Sequence, residues 1–347
     1  MPTLGRISYK NYSLLVIIPI FVIAVAMSVL EAYFGTLYGD LTRIGQLDEN
    51  DFGWRMQQPN ISGHLLISSP LNEADILVIG DSFSNGLIWQ SQLINAGYKP
   101  ATLKWEDFKP CGMGENLGEV IRSAGFKGRY VIIESIEHGF QNRMDSHCEI
   151  TNKMRSTSYQ QPLPATMPPD ASLSLSKPPL GGDWVFNALI NKIKFTYLFD
   201  DAKKYLDFGN SGARVVPVNN GCALFSNKKC NFGLFYSHDF DKKTFTSINN
   251  ILTINSNLKK NGLESMWLVV PDKATVYLGY GKFNENFFVN PWDIMAQHTE
   301  LRAPNLAELF TQQSHIIRDF YKPNDVHLST NGYLYMGSLV TGLLKNQ

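Results

Sequence analysis

Three side chains in this sequence have the types needed for nucleophilic catalysis: Ser82 in VIGDSFS, and Asp325 and His327 in NDVHLST. A serine hydroxyl is a weak nucleophile at neutral pH and needs a base, usually a histidine held by a carboxylate. In an extended segment Asp325 and His327, two positions apart, would point to the same side; in a loop the carboxylate can equally fold back onto the ring. Either way the Asp325 carboxylate can accept a hydrogen bond from Nδ1–H and leave Nε2 for Ser82. Each feature alone has a plain structural explanation. Gly-Asp-Ser commonly forms a turn in which the aspartate caps a helix, and a lone Asp-x-His commonly sits in a solvated loop. Their joint placement, at opposite ends of one domain, is what points to acyl chemistry.

The elements around them alternate. ADILVIG (74–80) predicts a buried strand, SNGLIWQSQLINAG a helix closed by Gly97, and ATLKWE another strand. LGEVIRSAG predicts a helix ending at Gly125, and RYVIIES a second β-branched buried strand. Later, FTSINNILTINSNLKKNG predicts a helix, ESMWLVVP a strand, and NLAELFTQQS and GYLYMGSLVTGLLKN two more helices. Strands alternating with helices predict an α/β fold with a mostly parallel sheet. Ser82, directly after a strand, would then lie at the carboxyl edge where such sheets bind ligands. No internal repeat interrupts this pattern.

Between about 151 and 240 the alternation stops. QQPLPATMPPDASLSLSKPPLGG is rich in Pro, Ser and Gly, and the text beyond it is irregular, so this region is expected to be a surface insertion within the 74–347 domain. Residues 31–73 are expected to be a juxtamembrane connector with a few local contacts.

The connector is juxtamembrane because Tyr12 to Leu30 carries no charge and approaches the roughly 20 residues needed to cross a bilayer. Arg6 and Lys10 precede it, and Glu31 and Asp40 follow. The positive-inside bias therefore puts residues 1–11 in the cytoplasm and the main domain outside. A cleaved signal peptide is the alternative, since Ala24-Val25-Ala26 has the form of a cleavage site. Apolar residues continue through Leu30, however, which favours an uncleaved anchor over 12–30. Both readings export the domain. Lys+Arg and Asp+Glu are both 31, so charge gives no reason to expect nucleic acid as a partner.

Four cysteines fit an oxidising compartment. Cys222 with Cys230 closes a short polar loop, which leaves Cys111 with Cys148; four unpaired thiols would require a reducing compartment. Neither pair has the spacing of a zinc site. His64, His147, His238, His298 and His315 show no ligand spacing either. No metal or cofactor is expected.

VIGDSFS near the start of the domain and DVHLSTNGY near its end resemble the first and last blocks of the SGNH (GDSL-like) hydrolase superfamily. VVPDKATVY (269–277), with the Asp-x-His pair, is similar to segments of the AlgJ/AlgX-type polysaccharide O-acetyltransferases. The resemblance spans most of 74–345 and is specific only at these segments. It implies a three-layer α/β/α fold, with Ser82 as nucleophile, His327 as general base and Asp325 as orienter of an acyl-enzyme mechanism. It also implies a glycan acceptor and a membrane partner that delivers acetyl groups across the bilayer. Two features depart from the pattern. In the alginate enzymes Asp-x-His precedes the serine, whereas here it follows, as in ordinary SGNH esterases. The superfamily's oxyanion glycine corresponds to Gly112 or Gly114 in KPCGMGEN, but its asparagine has no counterpart in ESIEHGF, and neither Asn116 nor Asn142 sits in a recognisable block.

Glu134, Glu137 and His138 end a strand at the edge that carries Ser82, so they are candidate substrate contacts or loop-shaping groups. Lys273 and Tyr277 would bind a sugar or brace the strand end. Asp81 is expected to cap the helix after Ser82. Trp184, Phe186, Tyr197 and Phe199 are expected to pack under the insertion, in preference to stacking on sugar rings. Three functions follow: an exported O-acetyltransferase, a carbohydrate esterase with the same triad, or a non-catalytic glycan-binding or assembly subunit.

Overall fold

The computed structural model describes residues 9–34, 39–108, 114–145, 150, 156–164, 182–199, 204–241, 245–279 and 290–345. Helix α1 (Tyr9–Phe34) comes first, and its Asn11–Leu30 stretch is long and apolar enough to cross a membrane. Two short helices follow, α2 (Asp40–Gly45) and α3 (Glu49–Phe52), and then the two-residue strand β1 (Ile67–Ser68). β2 (Ile76–Gly80) is buried at every position and runs straight into α4 (Ser82–Asn85). Next come α5 (Gln90–Asn95), β3 (Pro100–Lys104), α6 (Leu117–Ser123), β4 (Tyr130–Ile136) and α7 (Glu137–Met144).

The region expected to be an irregular insertion is folded over much of its length. It contains β5 (Tyr159–Gln160), α8 (Gly182–Leu198), β6 (Leu206–Phe208), β7 (Ala213–Pro217), α9 (Gly221–Leu224) and β8 (Phe232–Tyr236). β6, β7 and β8 form an antiparallel meander. Its strands are too short to show a period in sequence. They are fixed instead by a cross-strand pair in which Arg214 donates to both oxygens of Asp207, at 2.6 and 2.9 Å. Cys222 and Cys230 form the expected disulfide there. The Cys111–Cys148 pairing and Gly112 lie outside the described residues.

The chain closes with α10 (Ile248–Lys260), β9 (Glu264–Val270), α11 (Lys273–Leu278), α12 (Pro291–Ala296), α13 (Leu306–Ser314) and α14 (Thr330–Lys345). The main sheet is fully parallel, in the order β3-β2-β4-β9. Successive side chains of a strand alternate between faces. Leu77, Ile79, Val131 and Ile133 accordingly pack with Ile121 and Leu258 of α6 and α10. Ile76, Val78, Ile132 and Leu268 pack with Phe310 and Val340 of α13 and α14. Both faces are thus covered, which is why these strands read as continuous apolar runs.

One predicted helix is broken. The segment after Ser82 forms α4 and α5 separated by a turn in which Leu87 is buried with φ of 56°. A left-handed bulky residue cannot continue a helix, and Gly86 just before it marks the break.

Candidate active site

The carboxyl ends of β2, β4 and β9 bring their following residues to one edge: Ser82 after β2, Glu137 and His138 after β4, and Asp272 and Lys273 after β9. Asp81 builds the turn. Its Oδ1 accepts from the Phe83 N–H at 3.0 Å and caps α4, while Oδ2 accepts from the Ile136 N–H at 2.8 Å and from Arg143 at 2.6 Å. A Cβ on Gly80 would collide with Ser84 Oγ and Glu134 Oε2, so glycine is required for the turn to close this tightly.

His327 Nε2 lies 2.8 Å from Ser82 Oγ, and Asp325 Oδ1 lies 2.7 Å from His327 Nδ1. The same Asp325 oxygen accepts from the His327 backbone N–H at 3.1 Å, so the carboxylate folds back onto its own loop. Burial pushes the Asp325 carboxyl upward, but the His327 hydrogen bond and the nearby Lys322 charge outweigh it and hold the group below the usual carboxylate range. The imidazole leans on Phe83, with ring centroids 5.0 Å apart. Ser82 is exposed and lines a cavity of about 610 Å³.

Among known protein families, characterised proteins and solved structures, none matches this chain. The meaning of the site therefore rests on its own geometry.

The other expected site residues divide sharply. Glu134 is fully buried under the turn, where its Oε2 accepts from Ser84 Oγ at 2.6 Å and from the Asp81 N–H at 3.1 Å. Burial, then the negative charge of Asp81, raises its carboxyl well above the ordinary range. Glu137 is also buried, and its Oε2 accepts from the Asp272 N–H at 2.8 Å and from Thr275 Oγ1 at 2.7 Å. Both glutamates shape the edge from inside, and neither is among the residues lining this cavity. His138 does line the cavity, with Nδ1 2.7 Å from Asp272 Oδ1. His138, Asp239 and Asp272 each offer a ligand atom within 4.8 Å of the others, as do Asp40, Asp325 and His327, and either group has donors suited to a cation.

Lys273 lies in the cavity wall, but its ammonium is turned into the protein. It is 2% exposed, and its ammonium donates to the carbonyl oxygens of Lys322, Pro323 and Asp325. Tyr277, one turn further along α11, accepts from the Tyr321 N–H at 3.2 Å. The Pro-Asp-Lys-x-x-x-Tyr segment thus grips the loop that carries the Asp-His pair.

Three contributors escaped sequence reasoning. α2, in the segment expected to be a connector, supplies Asp40, Arg43 and Ile44 to the cavity wall. It is locked there by Glu49, which accepts from the Gly39 N–H at 2.9 Å and from Asn324 Nδ2 at 3.1 Å. Arg143 lines the cavity while paired with Asp81, and Asn85 lines it one helical turn after Ser82. Asn116 instead pairs with the backbone of Ile150, and Asn142 is exposed. Asn85 carried the only readable signal, being an asparagine on the same short helix as the serine.

Proposed function

We propose that this chain is a membrane-anchored, exported serine acyltransferase of SGNH type, with the three-layer architecture of that superfamily, which O-acetylates a cell-surface polysaccharide. The observation that carries the reading is the 2.8 Å approach of His327 Nε2 to the exposed Ser82 Oγ, with Asp325 on the opposite ring nitrogen. A nucleophile, a base and an orienter in that order, opening onto a cavity, is the arrangement that acyl transfer needs. Conservation of fold alone does not require it.

In this mechanism His327 takes the Ser82 proton as the hydroxyl oxygen attacks the donor carbonyl. The Ser82 N–H, at the start of α4, donates to the developing oxyanion. His327 then protonates the leaving group, and an acetyl ester remains on Ser82. A glycan hydroxyl enters, His327 removes its proton, and collapse of the second tetrahedral intermediate returns the proton to Ser82. Water in place of the glycan gives an esterase, so acceptor competition separates the two. A membrane protein that passes acetyl groups outward would be the donor's source. The apolar helix α1, taken as a spanning anchor with the N-terminus cytoplasmic, and the Cys222–Cys230 disulfide support an exported domain.

The test is intact-protein mass spectrometry of the full chain after brief exposure to an activated acetyl ester. A transient gain of one acetyl group, missing in Ser82→Ala, is expected. No adduct and no ester turnover would leave a non-catalytic binding subunit as the reading.

A further inference from the structure

Helix α8 has two apolar faces on opposite sides. Val185, Ala188 and Phe195 turn inward and are buried, and Asn191 on the same side donates to the carbonyl oxygens of Gly45 and Gln46 at 3.1 and 3.2 Å. Phe186, Ile190, Ile193 and Tyr197 are 59, 45, 50 and 79% exposed. At about 100° per residue these four fall within roughly 60° of arc, diametrically opposite the inward face. An apolar stripe at this spacing ordinarily marks a surface that is covered, and none of the described residues covers it. Phe186 and Tyr197 therefore do not pack beneath the insertion as the sequence reading expected.

The position of α8 identifies the cover. Val185 and Ala188 pack with Met27 and Leu30, at the end of the apolar stretch of α1. A helix seated against the end of a spanning segment lies at the level of the membrane interface. We propose that the outer face of α8 rests in the lipid interface as a second anchor; this inference relies on the reading of α1 as a membrane span. Branched aliphatic side chains with a terminal tyrosine suit acyl chains and the headgroup boundary. The inner face of α8 braces α2, where Trp184 Nε1 lies 3.5 Å from the carbonyl oxygen of Arg43. α2 in turn walls the cavity over Ser82. Seating α8 on lipid therefore fixes the cavity mouth beside the bilayer, where a membrane-delivered acyl donor would arrive.

Photocrosslinking of the full chain tests this, in vesicles of phosphatidylethanolamine and phosphatidylglycerol. p-Benzoylphenylalanine would replace, one at a time, Ile190, Tyr197, Phe21 of α1 and the exposed Ile316 after α13. Phospholipid adducts are expected at Ile190, Tyr197 and Phe21, severalfold above those at Ile316. Adducts at Phe21 but not at Ile190 or Tyr197 would overturn the proposal while leaving the span intact. Crosslinks from Ile190 to a second copy would make the face a dimer interface and overturn it too, as would equal lipid labelling at Ile316. Absence of lipid at Phe21 would remove the spanning reading itself, and the proposal with it.

Discussion

The ammonium of Lys273 sits 2.7 Å from the carbonyl oxygen of Lys322, and it reaches the carbonyl oxygen of Asp325 at 3.2 Å. A fully buried cation thereby fixes the backbone of the loop that holds the Asp-His pair, although it touches neither ring nor carboxylate. These contacts are those of a positioning group.

Lys273→Met should lower acyl-enzyme formation about 10- to 100-fold, since small displacements of a reacting group cost rates of that order. Burial, opposed by the charges of Asp325, Asp239 and Asp319, brings the ammonium down to about 7. An unfolded lysine keeps its proton to about pH 10.4. Between those values the unfolded chain binds the extra proton, so this group makes stability rise with pH. Denaturant titrations of both proteins from about pH 7 to about pH 10 should show the rise shrinking in Lys273→Met. An unchanged slope would contradict a buried, titrating Lys273.

Asp325→Asn should reduce single-turnover acetylation of Ser82 by about 10²- to 10⁴-fold while leaving the serine accessible. Because the Asp325 carboxyl is held below its usual range, its contribution to stability is complete above the unfolded value of about 4 and is lost only as pH falls through the lower folded value. Asp325 therefore stays ionised well into acid, and an acid limb of kcat/KM would report the general base and not its orienter. A rate that stays flat on the acid side with chemistry limiting would count against His327 as the base.

Glu134 should tolerate glutamine and not alanine. Gln keeps the acceptor for Ser84 and Asp81, whereas Ala strands both donors and opens a void, at a cost of about 2–4 kcal/mol. The raised carboxyl binds its proton more tightly in the folded chain, so stability from this group is present in acid and is lost as pH rises through the folded value. Glu134→Gln should flatten that alkaline loss. Thermal or chemical denaturation across pH would reveal a variant that retains it and refute the protonated reading.

The Cys222–Cys230 bridge should contribute about 2–3 kcal/mol through closure of its short loop. Phe225 within that loop accepts from Arg318 at 2.8 Å, and the Ser226 N–H donates to Asp319 at 2.7 Å, so the loop also supports the chain leading to Tyr321. Paired Cys222→Ser and Cys230→Ser replacement should lower the denaturation midpoint; an unchanged midpoint would mean the loop is held by those contacts alone.

The local features were legible because a few neighbouring residues determine them. A β-branched run ending in Gly80-Asp81 makes a strand and a capped helix start whatever lies far away, and an uncharged apolar stretch makes α1. The short Cys222 to Cys230 loop and the Asp325-x-His327 pair are equally local. The Ser82 and His327 pair, 245 positions apart, was legible only through the chemistry the two residue types share; contacts without such a signature, as between Glu49 and Asn324 across 275 positions, were not. The sequence by itself therefore determined a strand–serine–helix turn, a histidine with its carboxylate, and one long apolar helix. Tertiary packing alone decided that Glu134 and Glu137 are interior supports, that the buried Lys273 holds the Asp-His loop, that α2 walls the cavity, and that no described residue covers the outer face of α8. The physical reason is that solvation and pairing depend on which chain segments are brought against a side chain, and no local pattern encodes that.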